Sequence, residues 1–126
     1  MKKMYFKIPI YGVKVTLVQA VDKSEADDVE RILKSNHVSG EFIDDIVAAV
    51  RRGACNGGDT FRNFRYKSVF VFFYPFQSDD DMAETYAHEK RHIEDRVLEH
   101  FGVDDIESAG LLAGFLGRQF YKFWKL

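Results

Sequence analysis

Between Lys67 and Pro75 the chain carries Val69-Phe70-Val71-Phe72-Phe73-Tyr74, a run of aromatic and β-branched residues without a charge. Such side chains favour extended backbone, so Lys67 to Tyr74 is expected to form a buried or half-buried strand that Pro75 stops. The run is far short of the roughly 20 residues that a membrane-crossing helix requires. Around this strand the chain has 126 residues, the size of a single domain. With 46% hydrophobic and 30% charged residues it can build a packed core and is not of a disordered composition. The single cysteine excludes an intrachain disulfide and a cysteine-rich zinc knuckle, and fits a reducing compartment.

The remaining elements follow from local patterning. Tyr5 to Ile10 and Val13 to Ala20 read as a β-hairpin turning at Tyr11-Gly12, with Pro9 making the first strand an edge or ending it early. Val13, Val15 and Leu17 share one face of the second strand, opposite Lys14 and Thr16. A helix is expected from Ser24, as its N-cap, to Lys34. A second, from Gly40 to Arg52, sets Phe42, Ile46 and Ala49 or Val50 on a stripe. Ala54 to Asn63, with Gly57-Gly58-Asp59, is expected to be loop. Ser78-Asp79-Asp80-Asp81 opens a long helix to about Phe101, Gly102 ends it, and Asp104 or Asp105 caps a last helix from Ile106 to Trp124. The order of hairpin, two helices, strand and two helices is that of a single α+β domain spanning residues 1–126.

The chemistry is concentrated in His88-Glu89-Lys90-Arg91-His92. On a helix, residues i and i+4 stack one turn apart, so both imidazoles can reach one metal ion, and zinc accepts such nitrogens at about 2.0–2.1 Å. Glu89 sits about 100° round the helix from His88, placed to act as general base on a zinc-activated water. Chance alone would give this string in roughly 1% of shuffled chains, so its position within a capped helix after a strand carries the weight. A catalytic zinc takes three protein ligands and an open position. Glu107 is the candidate third ligand, with Asp104, Asp105 and His100 as alternatives. Gly110, Gly114, Gly117 and Tyr121 continue the face of Glu107 at helical spacing, and glycines there are expected to let two helix backbones approach closely.

These residues, with the turn Phe101-Gly102-Val103-Asp104-Asp105 and Glu107 followed by Ala109, Leu111, Leu112 and Gly114, resemble the zincin metallopeptidase core. More narrowly they are similar to small single-domain gluzincin-type proteins of bacterial phages and mobile elements. The resemblance covers about residues 67–121. It implies a zincin-like fold, a zinc metallopeptidase acting on a peptide or protein, His88, His92 and Glu107 as metal ligands, and Glu89 as the base. It also implies that Ser68 to Tyr74 is the edge strand that pairs with extended substrate.

Charge sets the competing readings. A net charge of −2 disfavours a dedicated nucleic-acid binder. Even so, Arg51, Arg52, Arg62, Arg65 and Lys67 form a local basic run from which a nucleic-acid-associated accessory protein could be built. A zincin-fold binding module without turnover is the other alternative. Lys2 and Lys3 lack a following apolar segment, because Lys7, Pro9 and Lys14 interrupt it, so a cytoplasmic protein without a signal peptide is expected. Cys55 and His37 are expected to be bystanders. Arg96, one turn beyond His92, is a candidate oxyanion contact or an ion-pair partner. Tyr121 is expected to pack between helices.

Overall fold

A computed structural model describes residues 1–126. The apolar run becomes β4 (Ser68–Phe73), and three further strands join it: β1 (Lys2–Lys7), β2 (Lys14–Gln19) and β3 (Gly58–Asn63). The sheet order is β1-β2-β4-β3. β1 and β2 pair antiparallel as a hairpin, β2 and β4 pair parallel, and β3 pairs antiparallel with β4. β4 therefore lies inside the sheet and β3 forms its edge, which corrects the expectation that Ser68 to Tyr74 is the edge. The parallel pairing requires a long crossover. It is supplied by α1 (Ala26–Ser35) and α2 (Gly40–Arg51), followed by β3.

Two long helices, α3 (Asp79–Phe101) and α4 (Ile106–Trp124), complete a mixed α+β domain. No helix is long and apolar enough to cross a membrane. The helices cover both faces of the sheet, and the period-two geometry of a strand sends alternate side chains to each. Val69, Val71 and Phe73 join a core with Val15, Leu17, Tyr86, Ile93, Val97, Leu116, Phe120 and Phe123 on the α3–α4 side. Phe70 and Phe72 join Val18, Val29, Leu33, Ile46 and Val50 on the α1–α2 side. Thr16, expected on a polar face, is fully buried for the same reason, and its hydroxyl pairs with Asn36 Oδ1 at 3.3 Å.

The largest departure from expectation is Ala54 to Asn63. Gly57, at φ 94°, makes the turn, but Gly58 to Asn63 is strand. Glycine and asparagine signal turns locally, whereas pairing with β4 is a non-local gain that overrides them. Smaller corrections have local causes. Asp22, not Ser24, caps the chain's entry into a 3-10 turn at Lys23–Glu25, ahead of α1. Phe42 is half exposed and packs at a tilt against Phe61 with ring centroids 4.9 Å apart, while Ile43, Ile46, Val47 and Val50 form the buried stripe of α2.

The ends of α3 and α4 are as expected. Ser78 Oγ accepts from Asp81 N, Gly102 adopts φ 67° at the C-cap of α3, and Asp105 accepts from Ser108 N. This hydrogen bonding holds the Asp105 carboxyl below its ordinary range. Tyr86 on α3 packs its ring against Phe120, Phe123 and Trp124, so α4 runs back antiparallel along α3. The glycine face does not lie between them. α4 packs through Leu112, Leu116, Phe120 and Phe123, and a Cβ added at Gly110, Gly114 or Gly117 would meet nothing within 4 Å. Gly110→Ala and Gly114→Ala should therefore each stabilise the protein by about 0.5–1 kcal/mol in urea unfolding, the helix-propensity difference. Destabilisation would place those glycines at a packed interface.

Candidate metal centre

Tyr86, Ile93 and Val97 form the buried stripe of α3, and two buried carboxylates flank it. At 100° per residue, Glu89 lies about 60° to one side of Tyr86 and Glu94 about 80° to the other. Glu94 belongs to the α4 side. Its Oε2 receives Lys90 Nζ at 2.6 Å, and Lys90 also donates to Ala113 O at 3.4 Å on α4. Arg91 pairs with Asp95 at 3.1 Å on the outer face. The two cations inside the motif are thus committed away from the histidines.

Glu89 belongs to the β3 side and is 4% exposed. Thr60 Oγ1, in the middle of β3, donates to Glu89 Oε2. The second oxygen, Oε1, lies 3.9 Å from His88 Nε2. His88 Nε2 and His92 Nε2 are 3.0 Å apart, with the rings nearly perpendicular. One donor atom from each of His88, Glu89 and His92 falls within 4.8 Å of the others. Two imidazole nitrogens on one tetrahedral zinc stand about 3.3 Å apart, so the donors present suit a nitrogen- and oxygen-binding divalent ion.

Gly58 allows this approach. A Cβ there would lie 2.9 Å from Phe72 O, 3.1 Å from Phe73 Cδ1 and 3.2 Å from Glu89 Cγ. A side chain there would collide with the β4 backbone and press on Glu89 from above. The resulting cleft, about 320 Å³, is lined by Gly58, Asp59, Thr60, Arg62, His88, Glu89, His92 and Arg96. The Asp59 carboxylate accepts from the Tyr74 hydroxyl at 3.2 Å, and β3 alternation turns it from the face on which Thr60 meets Glu89. Burial raises the pKa of both Asp59 and Tyr74.

Glu107 is not brought to the histidines. The Tyr86–Phe120 contact sets His88 level with the last third of α4, whereas Glu107 lies in its exposed first turn. Along the axes this leaves Glu107 roughly 16 Å from the level of His88 and roughly 10 Å from that of His92. The Gly102–Asp105 turn reverses the chain only after α3 has run two further turns past His92. Asp105 is occupied as a cap, His100 stacks on Phe64, and neither they nor Asp104 join the histidine cluster. Arg96 does line the cleft and reaches Glu99 at 3.5 Å. Tyr121 is 58% exposed rather than packed between helices. Cys55 is exposed with its thiol donating to Gly53 O, and His37 stacks on Tyr66. The basic run is dispersed: Arg51 pairs with Asp27 on α1, whereas Arg62 points into the cleft.

Gly58, Thr60 and Arg62 are the site residues that sequence reading missed. Their period-two spacing was the available signal, masked by the turn chemistry of Gly57-Gly58-Asp59. No family model, curated protein or solved structure matches the chain, so the zincin resemblance rests on its own residues.

The Thr60–Glu89 contact yields a stability test. Thr60→Val removes the hydroxyl at nearly constant volume and leaves a buried carboxylate oxygen without its donor, which should cost about 1–3 kcal/mol. Thr60→Ser should retain most of the wild-type value in the same denaturation assay.

Proposed function

We propose that this protein is a metal-dependent hydrolase, with zinc as the ion its donors suit and a peptide as its substrate. The observation that carries the reading is the facing pair of His88 and His92 Nε2 atoms, 3.0 Å apart beside the buried Glu89 carboxylate. His88 and His92 would hold the ion. When bound, zinc supplies Lewis-acid polarisation of a carbonyl and lowers the pKa of water towards neutrality.

The chain's own residues supply the rest. With Oε2 engaged by Thr60, Glu89 is left with Oε1 on the side of the histidines. This oxygen takes a proton from water as the water oxygen bonds to the amide carbon. The same carboxyl then returns the proton to the amide nitrogen as the C–N bond breaks, leaving a carboxylic acid and an amine. Burial fixes the carboxylate in one orientation before substrate arrives, so little reorganisation is needed during the reaction. β3 lies at the sheet edge, with one side of its backbone free to pair with an extended peptide across the cleft.

A zincin-fold binding module without turnover is the competing reading, favoured by a donor cluster of His88, Glu89 and His92 alone, in which the third donor is the same carboxylate that would act as the base. Zinc titration of metal-free protein by calorimetry should give about one ion per chain. His88→Ala and His92→Ala should each abolish binding, while Glu107→Ala, Asp104→Ala and His100→Ala should leave it unchanged. Glu89→Gln should keep zinc and lower peptide hydrolysis by about 10²–10⁴-fold. Failure to bind zinc stoichiometrically would overturn the metal assignment. Zinc binding with hydrolysis indifferent to Glu89→Gln would leave the binding module as the better reading.

A further inference from the structure

The cleft has no hydrophobic lining residue, and its charge is uneven. Alongside one another, β3 and α3 run in the same sense: Gly58 and Thr60 meet Glu89, Arg62 and Arg96 line the same cleft, and Phe64 stacks on His100. Past the histidines the groove therefore becomes cationic. Arg62 makes no ion pair, and Arg96 has only the contact at 3.5 Å to Glu99. Of the nearby carboxylates, Glu89 is held by Thr60 with its second oxygen towards His88, Asp59 accepts from Tyr74, and only Glu99 pairs with either arginine.

Resting on the peptide reading above, we infer that this site selects a peptide with an acidic side chain, received by Arg62 and Arg96 beyond the histidine pair. Two guanidinium groups lining one cleft repel each other, and a carboxylate between them removes the repulsion while accepting forked N–H donors. Strand geometry sets the position. Thr60 and Arg62 are two residues apart on one face of β3, which is about 6.8 Å. A peptide paired to the edge of β3 keeps the same step, so the acidic residue lies two positions from the bond held at Glu89. Thr60 and Arg62 are then recognised as parts of one device: the first orients the base, the second sets the substrate register.

The test separates recognition from turnover. Glu89→Gln protein, with and without zinc, is titrated by fluorescence anisotropy with labelled, end-blocked alanine octapeptides. Each carries a single Glu or Gln, moved through every position. The Glu peptide should bind about tenfold tighter than its Gln counterpart at low ionic strength, with the gap narrowing as salt rises. The preference should peak at one position, and Arg62→Gln and Arg96→Gln should each shrink it, with both together removing it. Circular dichroism confirms that these exposed-side-chain variants are folded. Equal binding of the two peptides, no binding of either, or a preference that survives the double variant would overturn the inference. So would single-stranded DNA that binds through Arg62 and Arg96 more tightly than any acidic peptide. Failure of the hydrolase reading appears separately, as absent zinc or as hydrolysis indifferent to Glu89.

Discussion

β4 is buried on both faces, and every layer of the protein is referred to it. Val69, Val71 and Phe73 face α3 and α4, while Phe70 and Phe72 face α1 and α2. A single extended segment thus carries residues into two separate cores. Truncating one of its phenylalanines opens a cavity where the surroundings cannot close in, a class of change that costs about 3–5 kcal/mol. The parallel pairing with β2 and the antiparallel pairing with β3 also fix where the sheet ends. The edge next to α3 is therefore β3, a strand with glycine at one end and threonine and arginine on its inner face.

That placement converts an ordinary helix into a site. α3 is charged along its length, and its histidines face solvent in the manner of many helical side chains. What distinguishes it is the carboxylate between them, buried under β3 and tied to Thr60. An isolated buried carboxylate would be costly to desolvate, and the threonine hydroxyl offsets part of this cost while leaving one oxygen on the side of the histidines. Gly58 suits the arrangement sterically, since a side chain there would collide with the β4 backbone and crowd Glu89.

The opposite flank of α3 shows how the remaining charges are managed. Lys90 and Glu94 form a partly buried pair against α4, with Arg91 3.9 Å from the second Glu94 oxygen. This interaction keeps an ammonium out of the histidine cleft, although Lys90 lies within the motif. α4 packs through leucine and phenylalanine and leaves its glycines outside. Its role in the fold is to cover the sheet, and the antiparallel return that does so carries Glu107 away from the histidines.

Much was already decided by the chain's local chemistry. Ser78, Gly102 and Asp105 set the limits of α3 and α4 because capping depends on hydrogen bonds within a few residues. The i, i+4 spacing places His88 and His92 together because helix geometry is local as well. The apolar run fixed a strand, and its composition fixed that it would be buried. The sequence could not place β3, because Gly57-Gly58-Asp59 signals a turn and strand pairing is gained only through a distant partner. Nor could it tell that β4 is internal, that the glycine face of α4 is open, or that Glu107 ends far from the histidines. Those outcomes depend on which surfaces two helices and two strands present to each other, and residues far apart in the chain settle this together by excluding water from both sides of the sheet.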